Sequence, residues 1–163
     1  MKAWKITAAA VCVLASAQVW GEVHISPDVP YENKDNIAER IINECTAIGK
    51  VMSENAVKAG EGKGVKFVAS EDFAKQDEYV KVEIVSATSA GSAMIGHWKG
   101  IAVSAEFYRK GKLVDKTKLE RHSTGGMFGG FKGSCAVLNR TATTLGKDIA
   151  AWTARVSGQP AQE

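Results

Sequence analysis

The 163-residue chain lacks several features that would assign it to a functional class at once. Its longest apolar run, from Ile6 to about Ala15, is too short to span a bilayer. Its formal charge of +3 comes without the clustered basic excess that a nucleic-acid partner requires. Its three histidines show no metal-ligand spacing, and no paired-carboxylate motif is present. We therefore expect no transmembrane span in the mature chain, no nucleic-acid partner, no metal, no other cofactor and no set of catalytic residues.

The first residues are typical of a secretory signal peptide. Lys2 and Lys5 precede the apolar run, and small residues follow it. Cleavage after Ala17 or after Gly21 fits the small-residue rule, and a strand-like segment begins directly after Gly21. The sequence thus predicts a signal peptide over residues 1–21.

The expected mature protein has one domain and no lipid anchor. Cys12 follows Val11 and lies within the apolar run, which does not fit a lipobox. Loss of the two leader lysines lowers the formal charge to +1. The remaining length of about 140 residues suits a single core. We expect an α/β domain over residues 22–158, a short tail at 159–163, and a periplasmic location.

Two stretches carry apolar residues at helical spacing, and each predicts an amphipathic helix. The first spans about residues 35–58, and its stripe consists of Ile37, Ile41, Cys45, Ile48 and Met52. The second begins at a suitable N-cap residue, Ser134, and ends before Gly158. Its stripe consists of Cys135, Leu138, Ala142, Leu145, Ile149, Trp152 and Val156.

The segments EVHIS, VKFVAS and YVKVEIVSATSAG read as strands, and a longer segment from His97 to Thr124 reads as two more. Those two join at Lys110-Gly111, where glycine supplies the positive φ of a tight hairpin. Asp115 falls on the inward face of the second strand and would need a partner or a bulge there. The order of elements predicts an α+β fold, with a single, mostly antiparallel sheet of about four or five strands and two amphipathic helices on one face.

Two cysteines, Cys45 and Cys135, remain in the mature chain, and both lie on apolar helix stripes. If both stripes face the same sheet, the helices are neighbours, and a disulfide can join them where the Cα atoms come within roughly 7 Å. An even cysteine count in an oxidising compartment favours this pairing. The alternative is a reactive Cys135 thiol at a helix N-terminus, assisted by His122.

The glycine-rich stretch STGGMFGGFKGSC is the most distinctive motif. It does not match a phosphate-binding loop, because Phe131 intrudes before Lys132 and Gly133 follows it. It predicts either a hinge that caps the core or an interaction loop for a protein or a membrane surface. The residues of this candidate interaction loop are Gly125, Gly126, Met127, Phe128, Gly129, Gly130, Phe131 and Lys132.

The last half of the mature chain resembles a family of small bacterial envelope domains of unknown function. The likeness rests on VEIVSATSAGS, on the run from GIAVSAEFYRKGKLVDK to GGMFGG, and on LGKDIAAW in the closing helix. The arrangement is also similar to the α/β domains of the curli-secretion and TolB N-terminal type. The resemblance implies a compact envelope domain without established catalytic residues. Many such relatives are lipid-anchored, whereas this chain has no lipobox.

The functional hypothesis is a non-enzymatic periplasmic protein that binds or assembles with other components of the cell envelope. One alternative is a small periplasmic enzyme with a site centred on Cys135 and His122. Another is a secreted interaction factor. The sequence does not identify a ligand, a partner or an oligomeric state.

Overall fold

A computed structural model describes residues 21–92, 96–123 and 133–158. Short 3-10 turns at Lys34–Asn36 and Phe73–Lys75 precede the first helix and the third strand. The strands and helices, in chain order, are β1 Glu22–Ile25, α1 Glu39–Glu44, α2 Ile48–Glu61, β2 Lys66–Ala69, β3 Glu78–Ser92, β4 Gly96–Arg109, β5 Lys112–Ser123 and α3 Ser134–Val156.

The five strands form one sheet in the order β2-β1-β3-β4-β5. Strands β3, β4 and β5 form an antiparallel meander with long, nearly continuous registers. Strand β1 lies between β2 and β3 and is parallel to both. The predicted α+β class and the mostly antiparallel sheet are confirmed, and the parallel strands occupy one side of it.

The hairpin between β4 and β5 turns where the sequence predicts it. Lys110 and Gly111 have φ values of 50° and 75°, the left-handed pair of a two-residue turn. Asp115 faces the helices and has both a β-bulge beside it and a hydrogen-bonding partner. The register shifts beside it, so that Val114 is an extra residue in β5, and the indole Nε1 of Trp152 donates a hydrogen bond to Asp115 Oδ2 at 3.0 Å.

Helices α2 and α3 pack against each other and cover one face of the sheet. All the predicted stripe residues of the two regions are buried except Cys135, which is half-buried and packs against the same core. Gly146 permits the close approach of the helices, since a Cβ atom there would lie 2.4 Å from the carbonyl oxygen of Met52. The core therefore lies between the helices and the inner face of all five strands, including Val23 and Ile25 of β1 and Phe67 of β2.

The prediction of one continuous helix over residues 35–58 was wrong, because the chain forms two helices there. The chain forms α1, leaves helical geometry at Cys45, which has φ −108° and ψ 49°, and resumes at α2. The break precedes Gly49, where a Cβ atom would lie 2.3 Å from the carbonyl oxygen of Val29. The loop after β1 therefore packs directly on the first turn of α2, a long-range contact that helical spacing does not reveal.

Candidate interaction site

The structure describes both ends of the glycine-rich loop. Residues 124–132 lie outside the described residues, so the positions of Met127, Phe128 and the rest of the candidate interaction loop are not assigned. The segment leaves the sheet at Ser123, the last residue of β5, and re-enters at Gly133, immediately before α3. The loop thus starts from the end of a long strand and finishes at the start of a long helix.

The helix end of the loop is fixed by the disulfide. Cys135, in the first turn of α3, is bonded to Cys45 at the end of α1, and the Cα atoms are 5.0 Å apart. Cys45 is 4% exposed, so the bond sits against the core rather than on the surface. The disulfide joins the two helical regions, as the sequence predicts, and holds the first turn of α3 in place.

One hydrogen bond to the sheet also holds this first turn. Ser134 is the first helical residue rather than the N-cap, which is Gly133, and its hydroxyl is 2.9 Å from the hydroxyl of Ser89 in β3. Lys99 pairs with Ser89 in the neighbouring strand and is only 5% exposed. The start of α3 is therefore held by a hydrogen bond to the sheet as well as by the disulfide.

The strand end of the loop adjoins an exposed aromatic cluster, which lies on the face of the sheet that points away from the helices. Trp98 is 49% exposed, and its ring stacks on His122 with centroids 4.5 Å apart and planes at 20°. His122 Nε2 lies 2.9 Å from a carboxylate oxygen of Glu120. We call these three residues the aromatic patch. It presents one flat ring, one imidazole and one carboxylate to solvent.

Gly100 is what allows the patch to form. It is the partner of His122 across the β4–β5 ladder, and a Cβ atom there would lie 2.3 Å from His122 Nδ1. The imidazole therefore lies over bare backbone and against the indole of Trp98. Any larger residue at position 100 would displace the imidazole ring.

The structure does not bring together the residues of the enzyme alternative. Cys135 is in a disulfide on the helix side of the sheet. Arg121 also points to that side, where it binds Asp148 of α3, so its neighbour His122 points to the other. The Cys135 sulfur and the His122 imidazole therefore do not share a site.

Acidic and sulfur ligands do not converge elsewhere in the described chain either. Within residues 21–92, 96–123 and 133–158, no three His, Cys, Asp or Glu side chains are grouped so as to hold a metal ion. Among the helices that the structure describes, none has an apolar window long enough to cross a membrane.

Towards the hairpin end, the face of the sheet that carries the aromatic patch also holds a polar cluster. The rings of Tyr79 and Tyr108 stack 4.8 Å apart, and the Tyr108 hydroxyl donates to Glu106 at 2.9 Å. This hydrogen bond, aided by partial burial, raises the pKa of Tyr108 to about 12. The ammonium of Lys116, 2.6 Å from Glu106, lowers the pKa of that carboxyl, and the hydroxyl of Tyr108 lowers it further.

Sequence reasoning did not identify the aromatic patch, although a signal was present. In HWKGIAVSAEF, the residues Ile101, Val103, Ala105 and Phe107 alternate onto the inner face. The same alternation places Trp98 and Gly100 on the outer face. A large aromatic residue beside a glycine on the polar face of a strand is unusual enough to mark a surface site.

Comparisons with known proteins identify the fold. Neither a family model nor a curated protein matches the sequence. A Xanthomonas campestris protein of the family DUF330 has a TM-score of 0.51 and 14% identity over 66% of this chain and 62% of that chain, less than two thirds of its length. PelC from Paraburkholderia phytofirmans, a dodecamer, has a TM-score of 0.52 and 12% identity over 81% of this chain and 87% of that one. A single-residue variant of PelC from the same organism has a TM-score of 0.55 and 11% identity over the same shares of the two chains.

At these identities the likeness is one of fold. The chain therefore shares its α+β architecture with a domain of unknown function and with PelC. The resemblance to the curli-secretion and TolB N-terminal type remains a prediction, because these comparisons do not test it.

Proposed function

We propose that the protein is exported to the periplasm and acts there as a non-enzymatic binding or assembly component of the bacterial cell envelope. The disulfide between Cys45 and Cys135 carries the proposal, because structural disulfides persist in oxidising compartments and are rare in the cytosol. The signal-like N-terminus supports export through a separate feature of the chain.

The geometry around the glycine-rich loop supports a binding role. Its anchors are the end of β5 and the start of α3. The disulfide and the Ser89–Ser134 hydrogen bond hold the start of α3 in place. A loop presented by a rigid scaffold is a common way to position contact residues. Because the aromatic patch adjoins the strand anchor, we propose that an envelope protein or a membrane surface binds at the glycine-rich loop and the patch.

The likeness to PelC, which is a dodecamer, suggests self-assembly as one form of this role. A shared fold does not transmit function by itself, so the proposal rests first on the disulfide and the loop anchors. We expect the oligomeric state of the purified mature protein to show whether this chain also forms a ring or another closed oligomer.

Export is tested by expressing the full chain with a C-terminal tag, releasing the periplasm by osmotic shock and sequencing the N-terminus. We expect the mature protein to start after Ala17 or Gly21. After treatment with an alkylating reagent in the absence of reductant, its mass should show no alkylated cysteine. An unprocessed cytoplasmic protein with free thiols would contradict the proposal.

Binding through the loop is tested by placing a photo-crosslinking residue at Phe128, with the same residue at exposed Lys63 as the control. We expect defined cross-linked products at position 128 that are absent at position 63. Sedimentation of the purified protein then separates self-association from a different partner. Equal labelling at both positions would argue against the loop as a contact surface.

A further inference from the structure

Strand β5 is the edge of the sheet in the part of the chain that the structure describes. Among the described strands it pairs only with β4, and it spans twelve residues, Lys112–Ser123. After the extra residue Val114, its register with β4 is regular from Asp115 to Ser123. Alternate residues of such a stretch direct their backbone N–H and C=O groups away from the sheet, where another extended segment can pair with them.

A groove runs beside this edge, between β5 and α3. It has a volume of about 280 Å³, and its walls include Leu119 and Arg121 of the strand and Ala151 and Arg155 of the helix. Asp148 binds Arg121 through two hydrogen bonds of 2.7 and 2.9 Å, which fixes the helix relative to the strand. The groove therefore has a rigid wall, a partly apolar lining and a backbone edge of uniform register.

Of the charged residues that line the groove, Lys118, Arg121 and Arg155 are positive and Glu120 and Asp148 are negative, and Asp148 is already paired with Arg121. The exposed stripe of α3, at positions 136, 140, 144, 147, 151 and 155, carries three cations and no acid. They are Arg140, Lys147 and Arg155. On the strand, Lys118 is exposed at the groove, and among the residues that the structure describes neither it nor Arg155 forms an ion pair with an acid. This concentration stands out in a chain whose expected mature charge is only +1.

We propose that β5 and the exposed stripe of α3 form a docking groove for an extended, acidic segment of a partner protein, which adds to the sheet as a sixth strand. The backbone edge supplies hydrogen bonds, and on the helix side of the added strand Leu119 and Ala151 receive small or branched apolar side chains. On its other side Lys118 attracts carboxylates, and Arg155 adds positive charge at the helix wall. The proposal rests on the proposed function in one respect, namely that the protein is a binding component, and it assigns a second surface apart from the glycine-rich loop.

Edge lysines also have a purely protective role, because they discourage unwanted strand pairing. That role accounts for Lys112, Lys116 and Lys118 on the strand itself. It does not account for the cations of α3, which belong to a helix and have no edge to protect. The charge of the helix stripe is the observation that favours an acidic partner over simple protection.

The test uses the purified mature protein and a fluorescein-labelled nine-residue peptide of alternating valine and glutamate. Two control peptides carry lysine in place of glutamate, or N-methyl groups on alternate amides, which remove the donors that a paired strand needs. We expect saturable binding of the acidic peptide, with amide shifts and new hydrogen-exchange protection in residues 116–123. Both control peptides should bind at least about tenfold more weakly.

A matched pair of variants separates a specific groove from general charge. Lys118→Glu combined with Arg155→Glu should weaken binding about tenfold at low salt. Lys58→Glu combined with Lys63→Glu makes the same change in net charge on the α2 side and should leave binding within about twofold.

Three results would overturn the docking groove. These are no binding of the acidic peptide, equal loss in the two double variants, and amide shifts confined to Trp98 and His122. A concentration-dependent dimer that β5 substitutions abolish would replace the acidic partner with a second copy. Because these measurements use purified protein, their failure would leave the export test unaffected.

Discussion

Removal of the disulfide is the perturbation whose magnitude the structure best defines. Cys45 and Cys135 are separated by 90 positions, and the loop that they close contains β2 to β5. The chain-entropy relation gives about 4–5 kcal/mol for a loop of this length. For a domain of about 140 residues, that corresponds to a fall in Tm of about 10–20 °C. We expect the Cys45→Ala/Cys135→Ala variant to lose most of this unfolding free energy. Alanine is used at both positions because it leaves no buried thiol unpaired, so the loss reflects the missing bond.

The assay is urea unfolding of the purified mature protein, followed by circular dichroism with and without reductant. Wild type in reductant should unfold close to the double variant, whereas the double variant should not respond to reductant. The single variant Cys135→Ala provides the control, because it lacks the bond but keeps Cys45 in the core. Equal unfolding free energies for oxidised wild type and the double variant, within about 1 kcal/mol, would refute the reasoning.

Three other predictions concern packing and protonation. Gly146→Ala should destabilise the protein by about 1–3 kcal/mol in urea unfolding, because the new methyl group meets the backbone of α2, whereas Gly62→Ala, at an open helix end, should stay within about 0.5 kcal/mol. Gly100→Ala should move His122 off the indole, which NMR detects as loss of the ring-current shift of the imidazole protons; an unchanged shift would contradict the stacked geometry. Tyr108 should ionise near pH 12 in a spectrophotometric titration. Since its raised pKa favours the neutral form in the folded state, the stability that it contributes is complete below about pH 10 and is lost as the pH rises towards 12. A transition of every tyrosine near pH 10 would contradict the hydrogen bond to its carboxylate neighbour.

The parts of the fold that depend on local pattern could be predicted from the sequence. The stripe of α3 repeats at helical spacing over its whole length, and all but its first residue are fully buried. Lys110-Gly111 specifies a two-residue turn whatever lies around it. The pairing of Cys45 with Cys135 followed from two stripes that had to face one sheet.

The remainder depends on contacts between distant residues. The parallel placement of β1 between β2 and β3 is a choice of partners that the alternation within a four-residue strand does not contain. The break between α1 and α2 adjoins the loop that packs at Gly49. At the candidate site, the stacking of His122 on Trp98 depends on the register that brings Gly100 opposite His122.

Strand β1 has a consequence for how the chain tolerates trimming. It is the only named strand that joins β2 to the meander, and it does so through four residues, Glu22–Ile25. Removal of those four residues would split the sheet, and β2 would stay joined to the meander through the chain segment that leads into β3 and through its packing on α2. A protease that cut after Ala17 or Gly21 would spare the connection, whereas one that cut after Ile25 would sever it. If the predicted leader is removed, cleavage must therefore fall before Glu22 for β1 to keep its place between β2 and β3.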